Sequence, residues 1–170
     1  MEITLAKFNQ TTEIYSLLKA CKEALDDKNI FQWIDSYPTL EIIKQDINDK
    51  CLYCLMNNSA CVGVISINSI QEDEYRSILW EDKNGKILVI HRLAVHPQHQ
   101  RKGFATKLMD FAEMVGFDNN YSSIRLDAYS ENIAVLNFYE LRNYKKRGEV
   151  FFSGRKAPFV CYEKSLRYSA

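Results

Sequence analysis

Net charge of either sign is missing from this sequence. Its 170 residues carry 22 Lys+Arg against 22 Asp+Glu, and a chain without a basic or acidic excess has no electrostatic reason to take nucleic acid or an anionic membrane as its main partner. An apolar run near the ~20 residues of a membrane span is absent too. The opening, MEITLAKFNQ, is too polar for a secretory signal. A cytoplasmic location is therefore expected. Cys21, Cys51, Cys54, Cys61 and Cys161 are odd in number and scattered, which suits small core residues better than a disulfide framework. Cys51 and Cys54 have ligand-like spacing, but a strand points them to opposite faces and no second Cys/His pair completes a site. No metal is expected. Nor does any repeat, linker or low-complexity tract interrupt the chain, which at this length fits one domain over residues 1–170.

What is present is concentrated in residues 87–116. Residues 87–95, ILVIHRLAV, read as one strand buried on both faces, and Pro97 ends it. From Phe104, apolar side chains recur at Phe104, Leu108, Phe111, Ala112 and Val115, one stripe of an amphipathic helix. The loop between, Gln100-Arg101-Lys102-Gly103-Phe104-Ala105, thus feeds a helix N-terminus. First-turn N–H groups lack intrahelical acceptors and carry the positive end of the helix dipole, so they attract phosphate oxygens. Gly103 and Ala105 let a pyrophosphate approach the backbone, and Arg101 and Lys102 add charge. Neither G-x-x-x-x-G-K-[ST] nor G-x-G-x-x-G occurs.

The rest supplies alternating strand and helix patterns. Residues 3–8 read as a strand, 11–27 as a helix, and 39–48 as a second helix capped by Thr39. The break at 29–38 carries Phe31, Trp33 and Tyr37, which either line a pocket or cap the core. Strands at 52–56 and 61–67 form a hairpin, followed by a polar stretch, 69–85, with Glu72, Asp73 and Glu74, read as a solvated loop or a substrate rim. Residues 123–129 alternate as a strand with Arg125 and Asp127 on a solvated face. Ser130 is the expected cap of a helix over 132–143, with Ile133, Leu136, Tyr139 and Leu141 inward, before strands at 144–152 and 159–165. That order is an α/β arrangement around a mixed sheet.

Gln100, Gly103 and Ala105 fill the pattern [Q/R]-x-x-G-x-[G/A], and the preceding Leu93-Ala94-Val95-His96-Pro97 resembles the fourth strand of the GNAT N-acetyltransferase superfamily. The element order resembles that family over nearly the full length. The resemblance implies a mixed, mostly antiparallel sheet flanked by helices, whose fourth and fifth strands part to admit acetyl-CoA as co-substrate. The implied reaction moves the acetyl group to a primary amine by direct attack in a ternary complex. Implied cofactor contacts are Leu93, Ala94 and Val95, where a bulge frees backbone N–H groups for the oxyanion, and Gln100, Arg101, Lys102, Gly103, Phe104, Ala105 and Thr106 at the pyrophosphate.

The segment Asn132-Ile-Ala-Val-Leu-Asn-Phe-Tyr139 is similar to the family's N-x-x-x-x-F-Y context. It implies that Asn132 and Tyr139 contact the cofactor and that Tyr139 gives a proton to the leaving thiolate. The Glu found on the fourth strand of many members is Val89 here, so His91, two residues on and facing the same way, is the implied base. The alternatives are Glu72, Glu74 or Glu81 acting through water, or no dedicated base. Phe31, Trp33, Tyr37, Glu74 and Phe152 are the implied acceptor residues, suited to a cationic small-molecule or peptide amine with some apolar surface. The missing strand Glu leaves open a catalytically silent acyl-CoA-binding or interaction module, and a homodimer is an assembly common in the family.

Overall fold

Hydrophobic periodicity becomes alternating strands and helices in the computed structural model, which describes residues 1–166. In chain order these are β1 (Glu2–Leu5), α1 (Thr11–Asp26), α2 (Leu40–Asn48), β2 (Leu52–Asn57), β3 (Ala60–Asn68), β4 (Ile87–Ile90), β5 (Ala94–Val95), α3 (Phe104–Asp118), β6 (Ser123–Tyr129), α4 (Ile133–Leu141), β7 (Lys145–Val150) and β8 (Phe159–Ser165). They fall into two compact units. One comprises Met1–Ile67 and His91–Ala112, the other Asn68–Ile90 and the chain from Glu113 onward.

In the first unit the strand order is β1-β2-β3-β5, all antiparallel. Ile14, Leu17, Leu18 and Cys21 of α1 and Ile43 and Ile47 of α2 meet Leu52, Cys54, Val64 and Ala94 of the sheet in one apolar core. The Thr39 hydroxyl accepts from the Ile42 N–H at 3.3 Å, the cap expected for α2. Gly63 brings β3 close to its neighbours: a Cβ there would stand 3.1 Å from the Ala94 carbonyl and 3.1 Å from Leu108 Cδ1.

In the second unit β4 runs parallel to β6, and β6, β8 and β7 follow antiparallel. The β4–β6 pairing reaches Arg125 opposite Val89, and residues 126–129 of β6 continue beyond it. The sheets are therefore mixed and mostly antiparallel, as the sequence led us to expect.

Three expectations need correction. Residues 87–95 are not one strand, because β4 ends at Ile90, residues 91–93 lie outside the ladder, and β5 resumes only at Ala94–Val95. Helix α4 starts at Ile133 with Asn132 as N-cap, while the Ser130 N–H donates to the Pro158 carbonyl at 2.9 Å. Ile133 is 60 % exposed and Leu141 85 %, since at 3.6 residues per turn both lie off the face that buries Tyr139.

Third, the face of β6 read as solvated is covered. Residue 75 sits in a short 3-10 turn, Asp73–Ser77, and Tyr75, Ile78 and Trp80 are buried. Arg125 is what holds this stretch down. Its guanidinium pairs with the buried Glu163 carboxylate at 3.0 Å, reaches the Gln71 side chain and the Asp82 carbonyl, and lies 4.3 Å from the Trp80 ring. A buried charge is tolerated only when paired and hydrogen-bonded in this way, and two-residue alternation carries no information about a covering loop. All five cysteines are buried free thiols, and burial pushes Cys21 and Cys161 up to about 12.

Candidate functional site

The loop before α3 has the backbone of an anion cradle. Arg101 has φ 60° and Gly103 φ +77°, so two residues in the left-handed region bracket Lys102. The N–H groups of Phe104, Ala105 and Thr106 precede the first helical bond, from the Lys107 N–H to the Gly103 carbonyl at 3.1 Å. Among the described residues beyond its chain neighbours, nothing lies within 4 Å of where a Gly103 Cβ would stand, so the approach to the turn is open. Arg101, Lys102 and Gly103 are exposed. The Lys102 ammonium donates to the Gln98 carbonyl at 3.1 Å, and His99 stacks on Phe104 with centroids 6.3 Å apart.

Gln100 serves the loop's shape. Its side-chain amide donates to the Val95 carbonyl at 3.0 Å, and the Cys21 thiol donates to the same carbonyl at 3.3 Å. One carbonyl thus ties α1, the end of β5 and the start of the cradle together.

Residues 91–93, outside both flanking strands, are anchored by the side chain in their middle. Arg92 donates through Nε to Asp46 Oδ2 at 3.0 Å, with Nη2 on the same oxygen, through Nη1 to the Tyr37 hydroxyl at 2.8 Å, and through Nη2 to Ser66 Oγ at 3.3 Å. The His91 N–H donates to the Ser66 carbonyl at 2.8 Å. Nothing in the sequence flagged Arg92, because its partners come from α2, the 29–38 break and β3.

In the second unit Tyr139 is 5 % exposed and held by ring contacts, with Tyr144 at 5.8 Å and Tyr162 at 6.0 Å. Burial above all, then the Asp127 charge, raises its phenol well above the ordinary range, against a smaller opposing effect of Arg142. Asn132 is buried, and its carbonyl accepts from the Val135 and Leu136 N–H groups at 2.9 and 3.1 Å.

The sequence profile of the acetyltransferase (GNAT) family matches residues 11–144. The chain belongs to the GNAT acetyltransferase family. Its fold is that of the GNAT family's solved members. An acetyltransferase of the GNAT family from Streptococcus agalactiae 2603 aligns with a TM-score of 0.79 at 21 % identity, over 96 % of this chain and 94 % of that one. A structure from Salmonella typhimurium, yncA with its cofactor acetyl-CoA, gives 0.73 at 15 % identity, over 100 % and 96 %. Human N-acetyltransferase 8 is 23 % identical over 114 residues, 66 % of this chain and 47 % of that protein. The chain thus spans about half the length of this curated relative.

The residues expected on the acceptor side divide between the two units. Trp33 is 8 % exposed and belongs to the first unit's apolar core, Tyr37 packs on that core with its hydroxyl on Arg92, and Phe31 is half-buried. In the second unit Glu74 is exposed and Phe152 is half-buried, edge-on to Phe159 at 5.1 Å. His91 is half-buried in the first unit. The second unit also holds a pair that the sequence reading passed over: the Tyr75 hydroxyl donates to Asp127 Oδ2 at 2.7 Å. A pattern could not have found it, since Tyr75 lies in a polar stretch and Asp127 in an ordinary alternation. No group of three or more His, Cys, Asp or Glu side chains is arranged to hold a metal among the described residues. None of their helices is long and apolar enough to cross a membrane.

Proposed function

We propose that residues 1–170 act as one acetyl-CoA-dependent N-acetyltransferase domain, moving the acetyl group to a primary amine by direct attack in a ternary complex. The observation that carries this reading is the cradle, in which paired positive φ angles at Arg101 and Gly103 lead into the N–H groups of Phe104, Ala105 and Thr106, ahead of the first helical bond. Those amides fit a diphosphate, and acetyl-CoA brings one together with the activated acetyl group. Gln100 shapes the cradle, and Arg101 and Lys102 supply positive charge. The Leu93 N–H, off the ladder in the segment fixed by Arg92, is the donor for the thioester oxygen as charge develops there. Tyr139 protonates the departing sulfur, and Asn132 contacts the cofactor at the start of the same helix.

The test is release of free CoA thiol from acetyl-CoA on addition of a panel containing phenethylamine, tryptamine, spermidine, lysine and a peptide with a free N-terminus. Amine-dependent thiol release is expected. Calorimetric binding of acetyl-CoA without release by any amine would replace this reading with a silent acyl-CoA-binding module. That module is favoured by Val89, fully buried at the place where the family resemblance implies Glu.

The cradle makes its own prediction. Gly103→Asp places a carboxylate against the diphosphate and should weaken acetyl-CoA binding by about 30-fold, about 2 kcal/mol. Gly103→Ala adds only a methyl group in open space, and the left-handed backbone should cost it about 1 kcal/mol of folding stability. Calorimetric titration and urea melts read the two effects separately.

A further inference from the structure

Asp127 lies on β6 beyond its last pairing with β4, and its half-buried carboxylate accepts from the Tyr75 hydroxyl at 2.7 Å. Tyr75 has little freedom. It is 2 % exposed, its ring is 5.1 Å from that of Trp80, and the Trp80 indole N–H donates to the Tyr75 carbonyl at 3.0 Å. Arg125 holds Trp80 in turn. Two residues along the same face of β6, Tyr129 is buried against Phe159 with centroids 5.1 Å apart. One strand face therefore presents a fixed carboxylate and an aromatic wall.

We propose that Asp127 takes the proton from the acceptor's attacking ammonium group and that Tyr75 is the residue positioning its carboxylate. This rests on the acetyl-transfer reading above and names the base that it lacks. In the step, the carboxylate removes one ammonium proton and frees the nitrogen lone pair, which forms the C–N bond to the thioester carbonyl carbon. The C–S bond breaks with its electron pair going to sulfur, and sulfur takes the Tyr139 proton. The second nitrogen proton restores the tyrosine as the amide forms, and Asp127 passes its proton to water. The balance is one amide, one thiol and one released proton.

The surroundings tune the carboxylate for this work. Burial, helped by the charges of Glu72 and Glu74 on the covering segment, pushes Asp127 up to about 6, against the opposing effects of Tyr75 and of Arg155 from the β7–β8 loop. The other titratable groups around it are Cys161, opposite on β8, and Tyr139 on α4. A base titrating near 6 is charged at neutral pH yet more basic than an ordinary aspartate near 3.9. The base must be deprotonated, so turnover should rise with pH through about 6 and then level off. The base implied by the sequence is instead His91. Variants separate them.

The experiment uses the full chain, acetyl-CoA and the amine of the panel that turns over fastest. Asp127→Asn should lower kcat by about 100-fold, keep acetyl-CoA affinity within about threefold and abolish the limb near 6. Tyr75→Phe keeps the ring and removes a bond that favours the charged carboxylate, so the limb should move to higher pH. His91→Ala should leave the limb where it is. Asp127→Asn with the wild-type limb, or loss of the limb in His91→Ala instead, would overturn the assignment while leaving acetyl transfer intact. Absence of turnover by the wild type with every amine would overturn both. Should Asp127→Asn fold poorly, the carboxyl carbon of Asp127 followed by NMR in the wild type and in Tyr75→Phe decides: a midpoint near 6 that rises in the variant supports the assignment, and an ordinary midpoint unchanged by the variant refutes it.

Discussion

Asp46→Ala is expected to lower the folding free energy by about 3–5 kcal/mol, because it strands the Arg92 guanidinium in a buried place without its counter-charge. The side chains of Arg92 and Asp46 are 8 % and 10 % exposed, so water cannot take over from the lost carboxylate. Tyr37 and Ser66 still accept one bond each, but they carry no charge. The same reasoning gives an internal control. Replacing both partners with apolar residues of similar size, Asp46→Leu with Arg92→Met, removes the charge and its desolvation cost together, and should sit within about 1–2 kcal/mol of the native protein. Urea unfolding of the two variants measures the difference. If the single variant were as stable as the double one, the pair would not be the anchor of residues 91–93. The anchoring also has a functional side: in the double variant acetyl transfer should fall more than acetyl-CoA affinity, since the Leu93 N–H loses its fixed position while the cradle at 100–106 is untouched.

Tyr139→Phe should reduce kcat by about 100-fold and change acetyl-CoA affinity by no more than a few fold. The low end of the general-acid range, about 10²–10⁴-fold, is the appropriate one because a thiolate is a tolerable leaving group at neutral pH even without a proton. Stability should barely change, for Tyr139 is held by its ring packing against Tyr144 and Tyr162, which phenylalanine keeps. The pH dependence has a definite sign. Burial raises the phenol above its ordinary value, so the proton stays in place throughout the neutral range and its loss should produce no basic limb below about pH 10, the unperturbed tyrosine value. Steady-state rates between pH 6 and 9, read beside calorimetric binding, check both parts. Equal turnover in Tyr139→Phe would remove the residue from its role.

The cradle was legible because everything that makes it is local. Gln100, Gly103 and Ala105 stand within one turn of a helix whose stripe runs through Leu108 and Ala112, and a positive φ at Gly103 is what a glycine at that point permits. Thr39, the β2–β3 hairpin and the bounds of β6 were legible for the same reason. Trp33, Leu141 and the strand over residues 87–95 were not. Whether an aromatic side chain in a break turns inward, or a strand is interrupted midway, depends on surfaces that come from elsewhere in the chain.

The sequence by itself determined the order of strands and helices, the turn before α3 and the family, since periods of 2 and 3.6 residues and short motifs are properties of neighbouring residues. The tertiary structure alone decided where charge is buried. Arg92 meets Asp46, Arg125 meets Glu163 and Tyr75 meets Asp127 across separations that no local pattern encodes. The physical reason is that the energy of an ionised group is set by what has displaced the water around it, and that is known only once distant segments have packed.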